Sequence, residues 1–277
     1  MMGKIDNTLS HDRDWAALKA TYDSDGVVLL PGLIQGPWLS SMQQAVNDYR
    51  KLDPGNGQTE NFSRSPGRVV IRWMGREIEA VQKLVTDSGV APVVGKLCGA
   101  TQLKFWYDLT LVYTVGSPYG GSPWHHDIPA FPFRGTQMPS LWIALSPVDE
   151  DRSPLMFIKG SHKSATLYPP SGDKAASLPS GYASLPDWDG LVARGEVEKV
   201  WWPMQAGDAL LMHQNVVHST TNNRSKDGER VSIITRWIGE DVRWQRDAFS
   251  MQIPGIESAS IIDGTAPTGD AFIDVKL

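Results

Sequence analysis

Cysteine is almost absent from this sequence, since Cys98 is the only one among 277 residues. A single cysteine excludes an internal disulfide, and it excludes a zinc site built from several thiolates. The fold must therefore be stabilised by a packed hydrophobic core, and a chain of this length is long enough to bury one.

Long apolar runs and clusters of basic residues are missing as well. No stretch of about 18 apolar residues occurs, so we expect no membrane span, and the N-terminal segment lacks the apolar region of a signal peptide. The net charge is -5 and the pI is near 5.7, and no stripe of Lys and Arg favours nucleic acid as a partner. We expect a cytoplasmic protein that acts on a small molecule. The sequence gives no oligomeric state.

The first hundred residues carry helical patterns. Apolar spacing and capping residues predict helices at 13–25, 37–51, 77–87 and 91–98. Between them we expect a buried strand at 26–34 and, from its many turn formers, a loop at 53–68.

Beyond residue 100 the sequence becomes rich in β-branched and aromatic residues, which is typical of strands. The predicted strands cover residues 103–115, 140–148, 154–159, 196–203, 208–218 and 230–238.

This order of elements indicates a mostly β protein with helical additions, whose core is a double-stranded β-helix, that is, a cupin-like jelly roll. We expect one domain over 1–277, with a mainly helical part at 1–100, a jelly-roll core at 101–240 and a C-terminal extension at 241–277. Residues 163–195 are rich in Ser, Pro and Gly and too long for a turn, so a lid-like insertion is predicted there.

Three polar residues in the second half form a candidate metal site. His125 and Asp127 project to the same side of an extended segment, and His218 is the candidate third ligand. Two histidines and one carboxylate that leave the other positions of a metal open are the facial triad of iron(II) oxygenases. His213 is the alternative third ligand. It lies five residues before His218, so on one regular strand only one of the two faces the metal. His213 follows the apolar residues Leu210-Leu211-Met212, whereas His218 has polar neighbours, which favours His218 as the ligand.

A candidate anion site follows the last of these histidines. Asp227-Gly228 predicts a turn, so we expect His218 to end one strand of a hairpin and Arg230 to begin the other, beside the metal. A guanidinium suits a carboxylate, and 2-oxoglutarate needs a cation for the carboxylate that does not reach the metal. Thr220 is placed to add a hydroxyl, and Arg236 on the same strand face as Arg230 is the alternative anchor.

Five ordered elements resemble the phytanoyl-CoA dioxygenase family, which also contains ectoine hydroxylases. The resemblance covers about residues 105–238 and rests on Trp124-His125-His126-Asp127, Phe131–Arg134, Pro154–His162, Gly207-Asp208 and Arg230.

The resemblance implies iron(II), 2-oxoglutarate and O2 as cofactor and cosubstrates of a 2-oxoglutarate-dependent non-haem iron dioxygenase. Such an enzyme yields a hydroxylated product, succinate and CO2. It also implies that Trp142 lines the cosubstrate pocket. Related halogenases carry a small residue where this chain has Asp127, which argues against halogenation. The chain departs from the family pattern at Arg152-Ser153, where Asn-Gly is usual, and at Lys159, where proline is usual.

The substrate is less well defined by the sequence. Aromatic side chains near the motifs suit a small or mid-sized apolar metabolite, and one arginine among them suits a substrate acid. The candidate substrate contacts are Phe131, Phe133, Arg134, Tyr168, Trp201, Trp202 and Trp237. A CoA thioester would need several cations for its phosphates. No dense basic cluster is present, although scattered arginines could converge, namely Arg64, Arg68, Arg72 and Arg76.

Two alternatives to this function keep part of the evidence. A cupin-like metal enzyme that does not use 2-oxoglutarate would keep the triad and need no Arg230. A non-catalytic metal-binding module is disfavoured, because structural metal sites are usually closed by four protein ligands.

Overall fold

The computed structural model describes residues 13–51, 61–118, 120–170 and 178–277. Parts of the predicted loop at 53–68 and of the predicted insertion at 163–195 therefore lie outside the described residues. Within the described ranges, no helix is long and apolar enough to cross a membrane.

Helices lie mainly in the first hundred residues, as predicted. They are α1 (Trp15–Asp25), α2 (Gly36–Lys51), α3 (Met74–Glu77), α4 (Glu79–Asp87), α5 (Val90–Cys98) and α6 (Trp188–Ala193). Helix α1 begins where the Asp14 carboxylate accepts a hydrogen bond from the Ala17 N–H, and it ends at Gly26 in the left-handed conformation, the usual signals for each end.

Antiparallel strands form the rest of the regular structure. They are β1 (Val27–Leu30), β2 (Phe62–Ser65), β3 (Arg68–Arg72), β4 (Leu103–Tyr113), β5 (Ser122–His125), β6 (Phe133–Arg134), β7 (Ser140–Ala144), β8 (Leu155–Ile158), β9 (Lys199–Val200), β10 (Ala209–Met212), β11 (His218–Thr220), β12 (Arg230–Gly239), β13 (Arg243–Trp244) and β14 (Ile273–Val275).

Two sheets face each other and make the predicted jelly-roll core. The major sheet has the strand order β1-β10-β7-β12-β4-β3-β2, with β14 paired to β4, and the minor sheet has the order β5-β11-β8-β9. Strands from both ends of the chain, β1 and β14, therefore join the same major sheet. The prediction of a mostly β fold with helical additions is confirmed. The division into one domain with three parts stays a prediction.

The centre of the major sheet is buried on both faces, because side chains there alternate between two cores. On β7, Leu141 and Ile143 pack into the large core that the N-terminal helices cover. Trp142 and Ala144 instead pack between the two sheets. Strand β7 accordingly has no exposed position, which is why its sequence reads as a continuous apolar run rather than as an alternation.

Two sequence expectations about strands differ from the structure. The predicted single strand at 208–218 is wrong: β10 ends at Met212 in the major sheet and β11 begins at His218 in the minor sheet. The chain crosses between the sheets over residues 213–217. For the same reason His218 and Arg230 do not belong to one hairpin, since β12 lies in the major sheet.

The predicted loop at 53–68 is also wrong for the part that the structure describes, which begins at residue 61. Residues 62–72 form a hairpin in which Phe62 pairs with Ile71 and Ser65 pairs with Arg68. Pro66 and Gly67 make its turn. The turn formers of this segment concealed strand β2, which pairs with β3. Strand β3 in turn pairs with β4, a long-range contact that local patterns do not reveal.

Gly207 is a position where the fold requires glycine. Its φ is +98°, and a Cβ atom there would lie 2.2 Å from the carbonyl oxygen of Ile34. The Gly207 N–H donates to the Ala144 carbonyl, and the Gly207 carbonyl accepts from the Ile34 N–H. The residue therefore ties the β1–α2 connection to the start of β10.

We expect Gly207→Ala to lower the free energy of unfolding by about 2 kcal/mol or more, because it adds a backbone clash to a strained φ. Gly36→Ala is the matched control, since Gly36 has φ +52° with no atom within 4 Å of an added Cβ. It should cost only about 1 kcal/mol. Urea unfolding of both variants measures the difference, and equal losses would contradict a clash at Gly207.

Candidate active site

A cavity of about 230 Å³ lies between the two sheets. Its walls come from both sheets. The minor sheet contributes His125 and His218, with Asp127 just beyond the end of β5, and the major sheet contributes Arg230 and Arg236. The cavity is therefore the interior of the jelly roll, where functional side chains from opposite sheets meet.

The three predicted metal ligands converge at this cavity. His125, Asp127 and His218 each offer a ligand atom, and these atoms all lie within 4.8 Å of one another. In the part of the chain that the structure describes, they form the one group of three or more His, Cys, Asp or Glu with this geometry. The convergence follows from strand pairing, because His218 on β11 lies directly opposite His125 on β5.

Hydrogen bonds fix the orientation of both histidines. Nδ1 of His125 lies 2.8 Å from the Pro123 carbonyl oxygen, and Nδ1 of His218 lies 3.0 Å from the Val216 carbonyl oxygen. A carbonyl only accepts, so each Nδ1 carries the proton and each Nε2 keeps its lone pair. This arrangement is the usual outer-shell support of a metal-binding histidine. Burial, together with the neighbouring His125 ring, lowers the pKa of His218 to about 3, which keeps that imidazole neutral and ready to bind a metal.

Asp127 is a buried carboxylate with a buried counter-charge. Its Oδ2 lies 3.0 Å from Nη2 of Arg236, but that oxygen accepts no hydrogen bond among the described residues, so the contact is an ion pair without hydrogen-bond alignment. Burial alone would raise the pKa of Asp127. Arg236 together with the neighbouring His218, His125 and His126 outweighs this, so the pKa lies below its usual value. A carboxylate whose Oδ2 accepts no hydrogen bond, beside two imidazoles whose Nε2 lone pairs are available, fits a divalent metal such as iron(II).

The other histidines of the region lie outside this group. The rival ligand His213 follows β10, stacks against the rings of Tyr22 and His162, and accepts a hydrogen bond from the Asn215 N–H through Nδ1. His126 faces the opposite side of β5 and accepts from the Tyr168 N–H. The expected choice of His218 agrees with this placement, although the parity argument assumed one strand where the structure has two.

Arg230 is a charged side chain with no exposed surface. Its Nη1 donates to the Ser232 hydroxyl at 2.7 Å, and the guanidinium carbon lies 4.0 Å from the centre of the Tyr113 ring and 5.5 Å from that of Trp142. Its Nε and Nη2 have no hydrogen-bond partner among the described residues. Burial lowers the pKa of Arg230, yet an arginine remains charged at neutral pH. Two unpaired donors on a buried cation fit a carboxylate that enters the cavity.

The two other predicted cosubstrate residues lie next to Arg230. Thr220 and Trp142 both line the cavity. The Thr220 hydroxyl accepts from the Ser122 N–H at 3.0 Å and lies 3.4 Å from the Tyr113 hydroxyl. Arg236, the alternative anchor, is already engaged with Asp127 and stacked over the Phe131 ring, so the geometry favours Arg230 for the incoming carboxylate.

The seven predicted substrate contacts lie outside the residues that line this cavity. Phe131 and Phe133 pack on Trp106, and Arg134 forms an ion pair with Asp247. Phe131 comes nearest to the site, because it lies under the guanidinium of Arg236.

The remaining aromatic candidates also have packing partners. Tyr168 contacts the His126 ring, and Trp202 contacts Phe157, while Trp201 is half-buried. Trp237 follows a register shift in β12 and packs in the large core, on the face away from the metal. Proximity in sequence to the motifs did not translate into proximity to the cavity, because side chains on strands alternate between faces. Direct substrate contact by any of the seven stays a prediction.

Several residues of the site were not predicted from the sequence. Tyr107, Leu109, Leu111 and Tyr113 line the cavity from β4, and the strict alternation of β4 after Tyr107 was the signal that could have found them. Pairing of Arg236 with Asp127 had no such signal, since it joins strands of different sheets.

Arg236 is expected to hold Asp127 ionised and oriented for the metal. We predict that Arg236→Gln weakens Mn(II) binding about tenfold, in the range seen when an outer-shell partner is lost. Arg236→Lys should retain most of the affinity because it keeps the charge. Calorimetric titration of metal into the apoprotein measures both variants, with the exposed Arg243→Gln as control. Unchanged binding in Arg236→Gln would mean that the guanidinium does not support the site, and tighter binding would mean that it repels the metal.

The sequence of the chain was compared with family models and with curated proteins. The family model described as phytanoyl-CoA dioxygenase (PhyH) matches residues 22–232, well over half of the chain and including all three candidate metal ligands and Arg230. A search of curated protein sequences returns no match.

Solved structures share the fold over nearly the whole chain. The non-heme alpha ketoglutarate dependent epimerase SnoN from nogalamycin biosynthesis is 22% identical, with coverage of 95% of this chain and 96% of that one and a TM-score of 0.72. The non-heme alpha ketoglutarate dependent carbocyclase SnoK from the same biosynthesis is 17% identical over 99% and 100% of the two chains, with a TM-score of 0.74. EctD from S. alaskensis with bound Fe is 17% identical over 86% and 81%, with a TM-score of 0.67.

Proposed function

The chain belongs to the phytanoyl-CoA dioxygenase family of iron- and 2-oxoglutarate-dependent oxygenases, and from this premise we propose that it hydroxylates an unactivated C–H bond of a small or mid-sized metabolite. His125, Asp127 and His218 bind the iron(II), and Arg230 binds 2-oxoglutarate. O2 is the second cosubstrate, and succinate and CO2 are released with the product.

The observation that carries this proposal is the buried, half-unpaired guanidinium of Arg230. An isolated buried charge costs several kcal/mol, so a fold retains one where a ligand completes it. 2-Oxoglutarate has the matching chemistry, because its keto acid chelates a metal and its second carboxylate needs a cation at a distance. The structure of EctD with 2-oxoglutarate and 5-hydroxyectoine, which shares the fold at a TM-score of 0.65, gives this choice of ligand further support.

Each part of the site has a separate task in the proposed reaction. The bound iron supplies the activation of O2 and the oxidising power for breaking a C–H bond. The chain's own residues place the reactants: Arg230 and Thr220 hold the far carboxylate, and Arg236 holds Asp127. Trp142, which is buried at the cavity wall, helps to exclude water, which protects a reactive centre from side reactions.

A second outcome of the same chemistry has an observation in its favour. Two of the structures that share the fold belong to an epimerase and a carbocyclase rather than to hydroxylases. Hydrogen abstraction followed by inversion, ring closure or desaturation would use the same residues in this chain. Incorporation of labelled oxygen from 18O2 into the product supports hydroxylation, and a product that is epimerised, ring-closed or desaturated and carries no label supports the second outcome.

Replacing Arg230 separates binding of 2-oxoglutarate from folding. We predict that Arg230→Met weakens 2-oxoglutarate binding to the anaerobic Mn(II) protein about 100-fold, as expected for loss of a buried partner of a carboxylate. The ligand-free variant should be at least as stable as the wild type, because an incompletely paired buried charge is removed.

Titration calorimetry measures the affinity for 2-oxoglutarate, and thermal unfolding with and without 2-oxoglutarate measures the stability. Unchanged affinity in Arg230→Met would favour a cupin-like metal enzyme that does not use 2-oxoglutarate.

The candidate metal ligands are tested by alanine variants of Asp127 and His218, with a histidine outside the site as the matched control. Asp127→Ala and His218→Ala are expected to abolish succinate formation from 2-oxoglutarate and to lower Mn(II) affinity by more than tenfold. His213→Ala is the control, because His213 lies five residues from His218 and contacts other rings. It should retain metal binding. Full metal affinity in His218→Ala, or its loss in His213→Ala alone, would contradict the assignment.

A further inference from the structure

Strand β3 places two arginines on the cavity wall. Arg68, Val70 and Arg72 line the cavity as alternate residues of this strand, since side chains two apart share a face. Both arginines are half-buried. Strand β3 lies next to β4 on the side away from β12, so this pair of cations forms a wall separate from the one that carries Arg230.

Neither arginine of this wall has an acidic partner among the residues of ranges 13–51, 61–118, 120–170 and 178–277. No hydrogen bond or ion pair of the Arg68 or Arg72 side chain occurs with the residues that the structure describes, whereas many other arginines of the chain are paired with carboxylates. Those pairs are Arg50–Glu229, Arg134–Asp247, Arg152–Asp227, Arg194–Glu196, Arg224–Asp151, Arg236–Asp127 and Arg246–Asp263. In a protein with a net charge of -5, two unpaired guanidinium groups at one cavity are not explained by a general excess of cations.

The charge of the cavity remains positive after the proposed cofactors bind. Its lining contains four arginines and a single carboxylate, that of Asp127. The ion pair with Arg236 neutralises Asp127, and the two charges of 2-oxoglutarate match those of a divalent metal. A neutral or cationic substrate would leave Arg68 and Arg72 uncompensated in a partly desolvated site, where such charges are costly.

Strand register locates these arginines relative to the other ligands. Arg68 and Arg230 both pair with Tyr113, from opposite sides of β4, so their Cα atoms lie two strand spacings or roughly 10 Å apart. Arg72 pairs with Leu109. Burial raises the pKa of the Tyr107 phenol, and the charges of Arg236 and Arg72 partly offset this rise, so Arg72 lies near Tyr107. Arg72 therefore lies toward the end of the cavity where Arg236 and the metal ligands meet.

Apolar side chains line the cavity beside these two arginines. They are Val70, Leu109, Leu111 and Leu155, and they suit a hydrocarbon body. A ligand that placed an acid group on β3 would therefore lay its carbon skeleton over these side chains, in the cavity that the candidate metal ligands also line.

The remaining two arginines of the sequence cluster do not join this wall. Arg64 lies over the Phe62 ring and lines a different cavity with Arg50. Arg76 lies over the Trp73 ring and lines another. The four arginines therefore do not converge on one polyphosphate, and the wall presents two guanidinium groups only.

On these grounds we propose that Arg68 and Arg72 bind an oxyanion of the substrate, which is an acid with an apolar body and one carboxylate or phosphate group. The inference rests on the proposed function, because it places this substrate beside the iron and 2-oxoglutarate. It names the substrate class and assigns the two residues that select it. Planar guanidinium groups recognise carboxylate and phosphate oxygens in the same way, so the shared chemistry is an oxyanion.

Three probes of one shape test this assignment. Benzoate, phenyl phosphate and the neutral benzamide are titrated into anaerobic protein loaded with Mn(II) and 2-oxoglutarate. We expect one or both acids to bind at least about tenfold more tightly than benzamide, as for a charge-assisted hydrogen bond, and the tighter of the two acids identifies the group. In the double variant Arg68→Gln/Arg72→Gln this preference should fall about tenfold or more. In Arg64→Gln, a control of the same chemistry on the neighbouring strand, it should persist.

The affinity for 2-oxoglutarate, measured in the same samples, distinguishes failure of the substrate assignment from failure of the proposed function. If the wild type and the double variant bind 2-oxoglutarate equally but benzamide binds as well as the acids, or the double variant keeps the full preference for acids, the substrate assignment is overturned. The same holds if neither acid binds to protein that is loaded with 2-oxoglutarate. If the wild type does not bind 2-oxoglutarate at all, the proposed function itself fails.

Discussion

A guanidinium group sealed in the protein interior, that of Arg230, is the constraint on which the site depends. Removing an arginine from water without a full set of partners costs several kcal/mol, and the fold offsets only part of this through the Ser232 hydroxyl and the faces of Tyr113 and Trp142. The unpaired Nε and Nη2 atoms suit a carboxylate at the cavity wall. The packing of the two sheets thus prepares the site for the proposed binding of 2-oxoglutarate.

The two sheets divide the chemistry between them. The minor sheet and the turn after β5 carry the candidate metal ligands His125, Asp127 and His218, and the major sheet carries the cations Arg230 and Arg236. Facing sheets keep a carboxylate-binding cation away from the metal while holding both over one small cavity.

Much of the candidate site followed from local sequence, because its information was local. His125 and Asp127 alternate along an extended segment, and the backbone carbonyl two residues before each histidine orients its ring. The structure places His218 with His125 and Asp127, and it places His213 against other rings. Side-chain parity along one strand does not explain this difference, because the chain changes sheets after Met212. The aromatic residues near the motifs were assigned to the substrate because their sequence neighbourhood was read as spatial neighbourhood, and they pack elsewhere.

The sequence by itself determined the class of fold, and it indicated the three candidate metal ligands and Arg230 as the proposed anchor of 2-oxoglutarate, since each depends on residue type and on spacing along one segment. The tertiary structure alone decided which arginine is engaged with Asp127, which aromatic residues are core, and that Arg68 and Arg72 share the cavity with the metal ligands. These are contacts between strands distant in the chain. They depend on sheet order and register, and both are set by the packing of the whole core rather than by any local pattern.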